Sequence, residues 1–191
     1  VEAKMAEMRR LKVLGVCGSL RKGSFNRMAL DAAIELAPPG LEIERFDIAP
    51  IPPYNEDVRA AGFPPVVEEL RAKIKSADAL LIATPEYNFS IPGVLKNAID
   101  WASRPPDQPF NGKPVALLGA SAGVTGTARS QQHLRQVCSF LNMFPVNKPE
   151  VLIGAAASKF NAEGKLVDEA TRGFVRDLMA ALEAWTRRLG A

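Results

Sequence analysis

The sequence predicts a three-layer α/β sandwich, in which one parallel sheet is covered by helices on both faces. Three observations carry that prediction. Short apolar runs, too brief for core helices, alternate with longer segments whose apolar residues recur at helical spacing. Glycine- and proline-rich stretches mark each switch between the two. The 191 residues are 47% apolar and 24% charged, the balance of one average globular domain with a sizeable core.

The elements follow in order. Lys12 to Cys17 is an apolar run ending at Gly18, as a buried strand should be, and a helix from about Asn26 to Leu36 stops before Pro38-Pro39-Gly40. Leu41 to Asp47 mixes Leu41, Ile43 and Phe46 with charges, a less buried strand. Pro64-Pro65 opens a helix carrying Val66, Leu70 and Ile74 at four-residue spacing. Ala79 to Thr84 is apolar up to Thr84, the pattern of a central parallel strand. Pro92-Gly93 opens a helix with Leu95, Ala98, Ile99 and Ala102, ended by Pro105-Pro106. Val115 to Ala120 is a fourth strand, followed by the small-residue loop Ser121 to Gly126. The next helix carries the stripe Leu134, Val137, Cys138 and Leu141. Val151 to Ala155 is the fifth strand. The last helix, about Asp168 to Leu189, is expected to bury Phe174, Leu178, Met179, Leu182, Trp185 and Leu189.

Five strands and five helices in strict alternation, joined by right-handed crossovers, favour the flavodoxin-like strand order 2-1-3-4-5. Strands one and three are then neighbours whose connections diverge, and ligands bind beyond their carboxyl ends. Residues 11–191 form the expected domain. Residues 1–10 are set aside as an extension, and a start at Met5 preceded by a remnant of added sequence would explain an initial valine.

Composition narrows the function. Twenty-four basic against 21 acidic residues leave a net charge of +3, too little to argue for nucleic acid but mildly attractive to small anions. Two distant cysteines, Cys17 and Cys138, argue against a disulfide framework, and one histidine, His133, leaves the usual zinc sites without ligands. No apolar run approaches the roughly 20 residues of a membrane span. The expectation is a cytoplasmic protein with neither metal, membrane nor nucleic acid among its partners.

The loop after the first strand reads Gly18-Ser19-Leu20-Arg21-Lys22-Gly23-Ser24-Phe25-Asn26. It leads into a helix, so unpaired N–H groups and the helix dipole face whatever sits there. Hydroxyl, amide and cationic side chains surround it, and no acidic residue occurs from Leu11 to Leu30. This is a phosphate cradle on physical grounds; the plain alternative is a polar turn with Asn26 as N-cap. The triphosphate-loop pattern fails because Lys22 precedes Gly23, and G-x-G-x-x-G is absent. A phosphatase loop counted from Cys17 would need arginine where Gly23 stands.

The loop after the third strand, Thr84-Pro85-Glu86-Tyr87-Asn88-Phe89-Ser90-Ile91-Pro92-Gly93, is stiffened by prolines and presents flat aromatic faces among polar groups. It suits a planar heterocycle, or else is a surface turn with Tyr87 packed on the protein. Gly119-Ala120-Ser121-Ala122-Gly123 matches the serine-hydrolase elbow, but His133 follows with no acid between them, so small residues here serve close backbone approach instead.

The loops Gly18 to Asn26 and Thr84 to Asn88, together with Pro92-Gly93-Val94-Leu95-Lys96-Asn97-Ala98-Ile99-Asp100-Trp101, closely resemble the NADPH-dependent FMN reductase family, and within it the bacterial quinone and chromate reductases. The similarity runs from about Lys12 to the final helix. It implies that Ser19, Arg21, Ser24 and Asn26 bind the FMN phosphate, and that Pro85, Glu86, Tyr87 and Asn88 lie along the isoalloxazine and ribityl groups. It places Ser121 and Gly123 beside the ring. It implies NADPH or NADH as donor, quinones, chromate, azo compounds or other small molecules as acceptors, and a homodimer or homotetramer. Relatives often have tyrosine where this chain has Phe89 and Gln132. The chemistry would lie on the flavin, with no catalytic side chain. A flavodoxin-like electron carrier is the rival reading, but such carriers are typically acidic, whereas this chain has an isoelectric point near 9.0.

Overall fold

A computed structural model describes residues 9–190. Its elements are β1 (Leu11–Cys17), α1 (Phe25–Glu35), β2 (Leu41–Phe46), α2 (Glu56–Ala60), α3 (Pro65–Ser76), β3 (Ala79–Ala83), α4 (Gly93–Ala102), β4 (Pro114–Ala120), α5 (Ala128–Phe140), β5 (Phe144–Pro145), β6 (Val151–Ile153) and α6 (Glu169–Arg188). A 3₁₀ turn at Ala156–Ser158 follows β6. The sheet is parallel in the order β2-β1-β3-β4-β5, with β6 also paired to β4. This is the expected flavodoxin-like order.

The fifth strand is the main correction. Its place is shared by two pieces, β5 beside Pro114 and Val115 and β6 beside Leu118 to Ala120. Pro145 and Pro149 have no N–H to give a continuous ladder, so the chain leaves β4 after Val146 and rejoins it at Val151. Strand β6 ends at Ile153, because Ala155 turns into the left-handed region at φ 49°. The short helix α2 was not expected either, so strict alternation does not hold.

The sheet's period of two sorts its residues between two cores. Leu11, Val13, Ala79, Leu81, Ala83, Ala116, Leu118 and Ala120 face α1 and α6. Leu14, Val16, Leu80, Ile82, Val115 and Leu117 face α3, α4 and α5. The α1 side is unusually small: Ala29 and Ala33 of the helix meet a floor containing Ala79, Ala83, Ala116 and Ala120. That brings α1 close to the sheet, as does Gly15, where an added Cβ would stand 3.3 Å from Leu30.

Helix faces need two adjustments. In α3 the buried residues are Val67, Leu70 and Ile74 rather than Val66. In α6 they include Val175, Leu178, Met179 and Leu182, while Phe174 and Leu189 are exposed. Helix α4 ends at Ala102 with Ser103 as its cap, before Pro105-Pro106. Its fully buried Trp101 donates to the Pro52 carbonyl at 2.8 Å, and Asn97 donates to the same oxygen at 2.9 Å. These bonds pin the segment after β2 to α4.

Of the expected extension, residues 1–8 lie outside the described residues. Arg9 reaches back to Asp78 with nitrogen–oxygen distances of 2.8 and 3.0 Å. No helix among the described residues is long and apolar enough to cross a membrane.

Asp168 caps α6, accepting from the Thr171 N–H at 2.9 Å. The Thr171 hydroxyl, and then Lys159 at 3.0 Å, hold its carboxyl down at about 2, against an ordinary value of 3.8. A carboxyl depressed on folding adds stability above its unfolded pKa, and that contribution is lost as pH falls through the folded one. Denaturation midpoints should therefore show Asp168→Asn less stable than the parent at pH 6, with the gap closing between pH 3.8 and about 2. A gap independent of pH across that window would contradict this assignment.

Candidate functional site

The loops after β1, β3 and β4 meet beyond the carboxyl ends of those strands, around a cleft of about 220 Å³. Eight of the ten predicted residues line it: Ser19, Arg21, Ser24, Asn26, Pro85, Glu86, Tyr87 and Ser121. Asn88 and Gly123 lie on the same loops but outside the lining. Phe25, Ala120 and Ala122 line it as well, and the sequence did not single them out. A larger groove of about 510 Å³ runs between α4 and α5 and meets the β3 loop at Ser90.

The first loop leaves β1 with the Gly18 N–H donating to Ala83 at 2.8 Å. Ser24, not Asn26, is the N-cap of α1: its Oγ accepts from the N–H groups of Asn26 (3.2 Å) and Arg27 (3.4 Å) and keeps its own proton free. Among the described residues, the N–H groups of Ser19 to Ser24 donate to no other group. Ser19 is buried. The Arg21 guanidinium bonds the Gly23 carbonyl at 2.5 Å and lies 5.8 Å from the Phe25 ring, so it is held beside the cleft. Arg27 lines a neighbouring pocket with Cys17 and Arg45 instead. Free amides, hydroxyls, one guanidinium and a helix N-terminus form a donor set that fits a phosphate ester.

Asn26 is buried, and its side chain bonds the protein at both ends of the amide. Its Nδ2 donates to the Ala120 carbonyl at 2.9 Å, and its Oδ1 accepts from the Ala120 N–H at 2.8 Å. Asn26 thus clamps the first loop to the end of β4 while lining the cleft. It reaches because α1 sits low on the alanine floor.

In the second loop Thr84 is fully buried, with its hydroxyl 2.9 Å from the Pro85 carbonyl and 3.1 Å from the Ser130 hydroxyl. Tyr87 and Ser90 exchange backbone hydrogen bonds of 3.1 and 2.9 Å across a tight turn. Asn88 and Phe89 occupy it at φ 50° and 61°, left-handed values uncommon outside glycine. Tyr87 and Phe89 are both exposed, so Tyr87 is not packed on the protein. The Arg129 guanidinium lies 3.9 Å from the Phe89 ring centroid. Arg129 also pairs with Glu86, while Glu150 receives a long bond from Gln132 at 3.4 Å.

The backbone packs closely around the base of the third loop. A Cβ on Gly119 would lie 2.0 Å from Thr127 and 2.3 Å from the Thr84 carbonyl, and one on Gly154 2.2 Å from the Val124 carbonyl. At Gly123 an added Cβ would meet only the Ser121 hydroxyl, at 3.8 Å. Backbone bonds from Ala155 to Gly123 (2.9 Å) and from Ala156 to Ser121 (3.0 Å) hold the loop. The Ser121 hydroxyl donates to Gly123 at 3.2 Å, while His133 shares a 3.0 Å hydrogen bond with Ser90. Among the described residues Ser121, the serine of the hydrolase-like pattern, makes no hydrogen bond to His133. Burial raises the Cys17 thiol and pushes Cys138 up to about 12, so neither is a thiolate near neutral pH.

The sheet order and the cleft beyond β1 and β3 define the class, a flavodoxin-like protein with its ligand site at the switch point. The pattern of the NADPH-dependent FMN reductases matches residues 11–158. An NAD(P)H-dependent FMN reductase of Pseudomonas aeruginosa is 61% identical over 179 residues, covering 94% of this chain and 97% of its own. The quinone reductase of Escherichia coli is 44% identical over 183 residues, covering 94% of this chain and 97% of its own. Among solved structures, the flavoenzyme NAD(P)H:(acceptor) oxidoreductase FerB of Paracoccus denitrificans superposes with a TM-score of 0.87 at 37% identity, over 95% of this chain and all of FerB. The chain belongs to the NADPH-dependent FMN reductase family. It is an NAD(P)H-dependent flavoenzyme whose cofactor is FMN.

Asn26→Ala would leave the N–H and C=O of Ala120 without partners. It should lower the unfolding free energy by about 2–4 kcal/mol, at about 1–3 kcal/mol for each stranded polar group with partial relief from water. Urea denaturation of the flavin-free protein measures this, and a loss below about 0.5 kcal/mol would show that the clamp is dispensable.

Proposed function

We propose that the protein is an FMN-dependent NAD(P)H:quinone oxidoreductase, with residues 11–191 as its reductase domain. The observation that carries this reading is the convergence of the three loops on one cleft whose first wall is a row of unspent amides at the N-terminus of α1. The FMN phosphate would rest on Ser19 to Ser24, with Arg21 countering its charge and the Ser24 hydroxyl donating to it. The ring and ribityl chain would lie along Pro85 to Asn88, with Ser121 and Gly123 beside the ring.

When bound, FMN supplies the redox chemistry, accepting hydride from the nicotinamide and passing two electrons on to the acceptor. The chain's own contribution is placement. Backbone amides address the phosphate, Pro85 and the turn at Asn88 and Phe89 shape the ring's seat, and exposed Tyr87 and Phe89 border its open side. Among the described residues lining the cleft, the one carboxylate, Glu86, is engaged by the N–H groups of Arg129 and Ser130, and the nearby His133 is engaged with Ser90. Donor and acceptor would use the same open face in turn, which gives ping-pong kinetics.

Quinones are the preferred acceptors, because the quinone reductases match this chain over nearly their whole length. Chromate and azo compounds are further candidates on a shared face that demands little of the acceptor. The basic isoelectric point near 9.0 suits anionic donors and acceptors. A dimer or tetramer is the expected assembly.

Under anaerobic conditions NADPH should bleach the flavin bands of the purified protein, and a quinone should restore them. Initial rates should give parallel double-reciprocal lines; intersecting lines would exclude the shared-face scheme. Bands that persist with both NADPH and NADH would overturn the reductase reading. Arg21→Ala should weaken FMN by about ten-fold and leave riboflavin within about two-fold, since a charged hydrogen bond to the phosphate is lost. An equal loss for both flavins, read by fluorescence quenching, would remove Arg21 from the phosphate site.

A further inference from the structure

Resting on the flavin reading above, we propose that Glu86 is a positioning residue for the cofactor: its carboxylate caps α5 and so fixes the Pro85–Asn88 backbone that seats the ring. Helix α5 begins at Ala128 with no capping bond from the Thr127 side chain and no acidic residue in its first turn. Glu86, far away in sequence, supplies both. Its Oε2 accepts from the N–H groups of Arg129 (2.9 Å) and Ser130 (3.1 Å), a carboxylate on the positive end of a helix. The side chain is only 10% exposed, and its other oxygen lies 3.7 Å from the Arg129 guanidinium.

The first turn of α5 returns the contact on both flanks of Glu86. The Ser130 hydroxyl donates to the Pro85 carbonyl at 2.9 Å, one residue before it. The Arg129 guanidinium covers the Phe89 ring at 3.9 Å, three residues after it. The segment between them includes the left-handed Asn88 and Phe89, conformations that a loop keeps only when its surroundings hold it. The N–H groups of Glu86 and Asn88 take no partner among the described residues, so the backbone held this way still has donors to offer. Glu86 thus acts through α5 on the shape of the loop, and its carboxylate need not touch the flavin.

The test uses the full chain, freed of flavin and titrated with FMN by fluorescence quenching, alongside melting of the flavin-free forms. Glu86→Ala should weaken FMN binding by about ten-fold, as expected for the loss of a helix cap that also shapes the site. Glu86→Gln keeps an acceptor oxygen for α5 and should stay within about three-fold of the parent. FMN affinity unchanged in Glu86→Ala, with only the melting temperature lowered, would overturn the proposal and leave Glu86 a helix cap alone. Should Glu86→Ala fail to fold, Glu86→Asp carries the test, since it keeps the charge but falls one methylene short of α5. Weakened FMN binding in that variant supports the proposal, and parental affinity overturns it. A parent chain that binds no FMN would overturn the flavin reading itself, and this inference with it.

Discussion

The closeness of α1 to the sheet is the constraint on which the site depends. Alanines on both surfaces let the helix settle low, and only at that depth can the short Asn26 side chain exchange two hydrogen bonds with the Ala120 backbone. A row of free amides such as that from Ser19 to Ser24 is costly to keep apart from the chain's own carbonyls. The loop stays open because both ends are fastened, at Gly18 through Ala83 and at Ser24 through the first turn of α1. Asn26 then sets how far this opening stands from the end of β4.

The other two loops are fastened by the same means, side chains bonded to backbone rather than packing alone. Thr84, Ser130 and Glu86 join the β3 loop to α5 through buried or nearly buried groups. Gly119 admits Thr127 and the Thr84 carbonyl where any Cβ would collide. Such a frame suits an enzyme whose cofactor carries the reaction, since geometry is then what the protein has to provide. The charged groups lining the cleft agree: the Glu86 carboxylate is engaged by the first N–H groups of α5, and the Arg21 guanidinium is left to face an anion.

The fold was legible where its signal is local. Apolar runs marked β3 and β4, proline pairs marked the starts and ends of helices, and the alternation of the two set the strand order. The divided fifth strand was not legible, because the break depends on how Pro145 and Pro149 meet β4 rather than on any period of their own. Phe174 and Val175 are adjacent on α6, and hydrophobicity alone chose the larger, while the helix's contact with the sheet buries the smaller. At the site, the acid-free stretch and the proline–aromatic loop pointed to the right places. Individual roles were hidden wherever they rest on distant contacts. Ser24 and Asn26 are equally good caps on paper, and it is the bonds from the Asn26 and Arg27 N–H groups to the Ser24 hydroxyl that assign the cap to Ser24. Nothing local to Glu86 announces a helix that starts more than 40 residues later.

With FMN seated as proposed, the open side of the ring is bordered by a turn and not enclosed by a pocket. Tyr87 and Phe89 stand out into solvent, with Phe89 steadied by the Arg129 guanidinium and the turn by the reciprocal Tyr87–Ser90 bonds. A rigid aromatic border favours flat molecules but offers few directed hydrogen bonds with which to choose among them. Strong discrimination between small molecules comes from buried polar groups that the wrong ligand would leave unpaired. A border of exposed aromatic rings would have few such groups to strand. An architecture that seats the cofactor in this way would leave the choice of acceptor loose, which is the balance expected of a reductase serving quinones as a class.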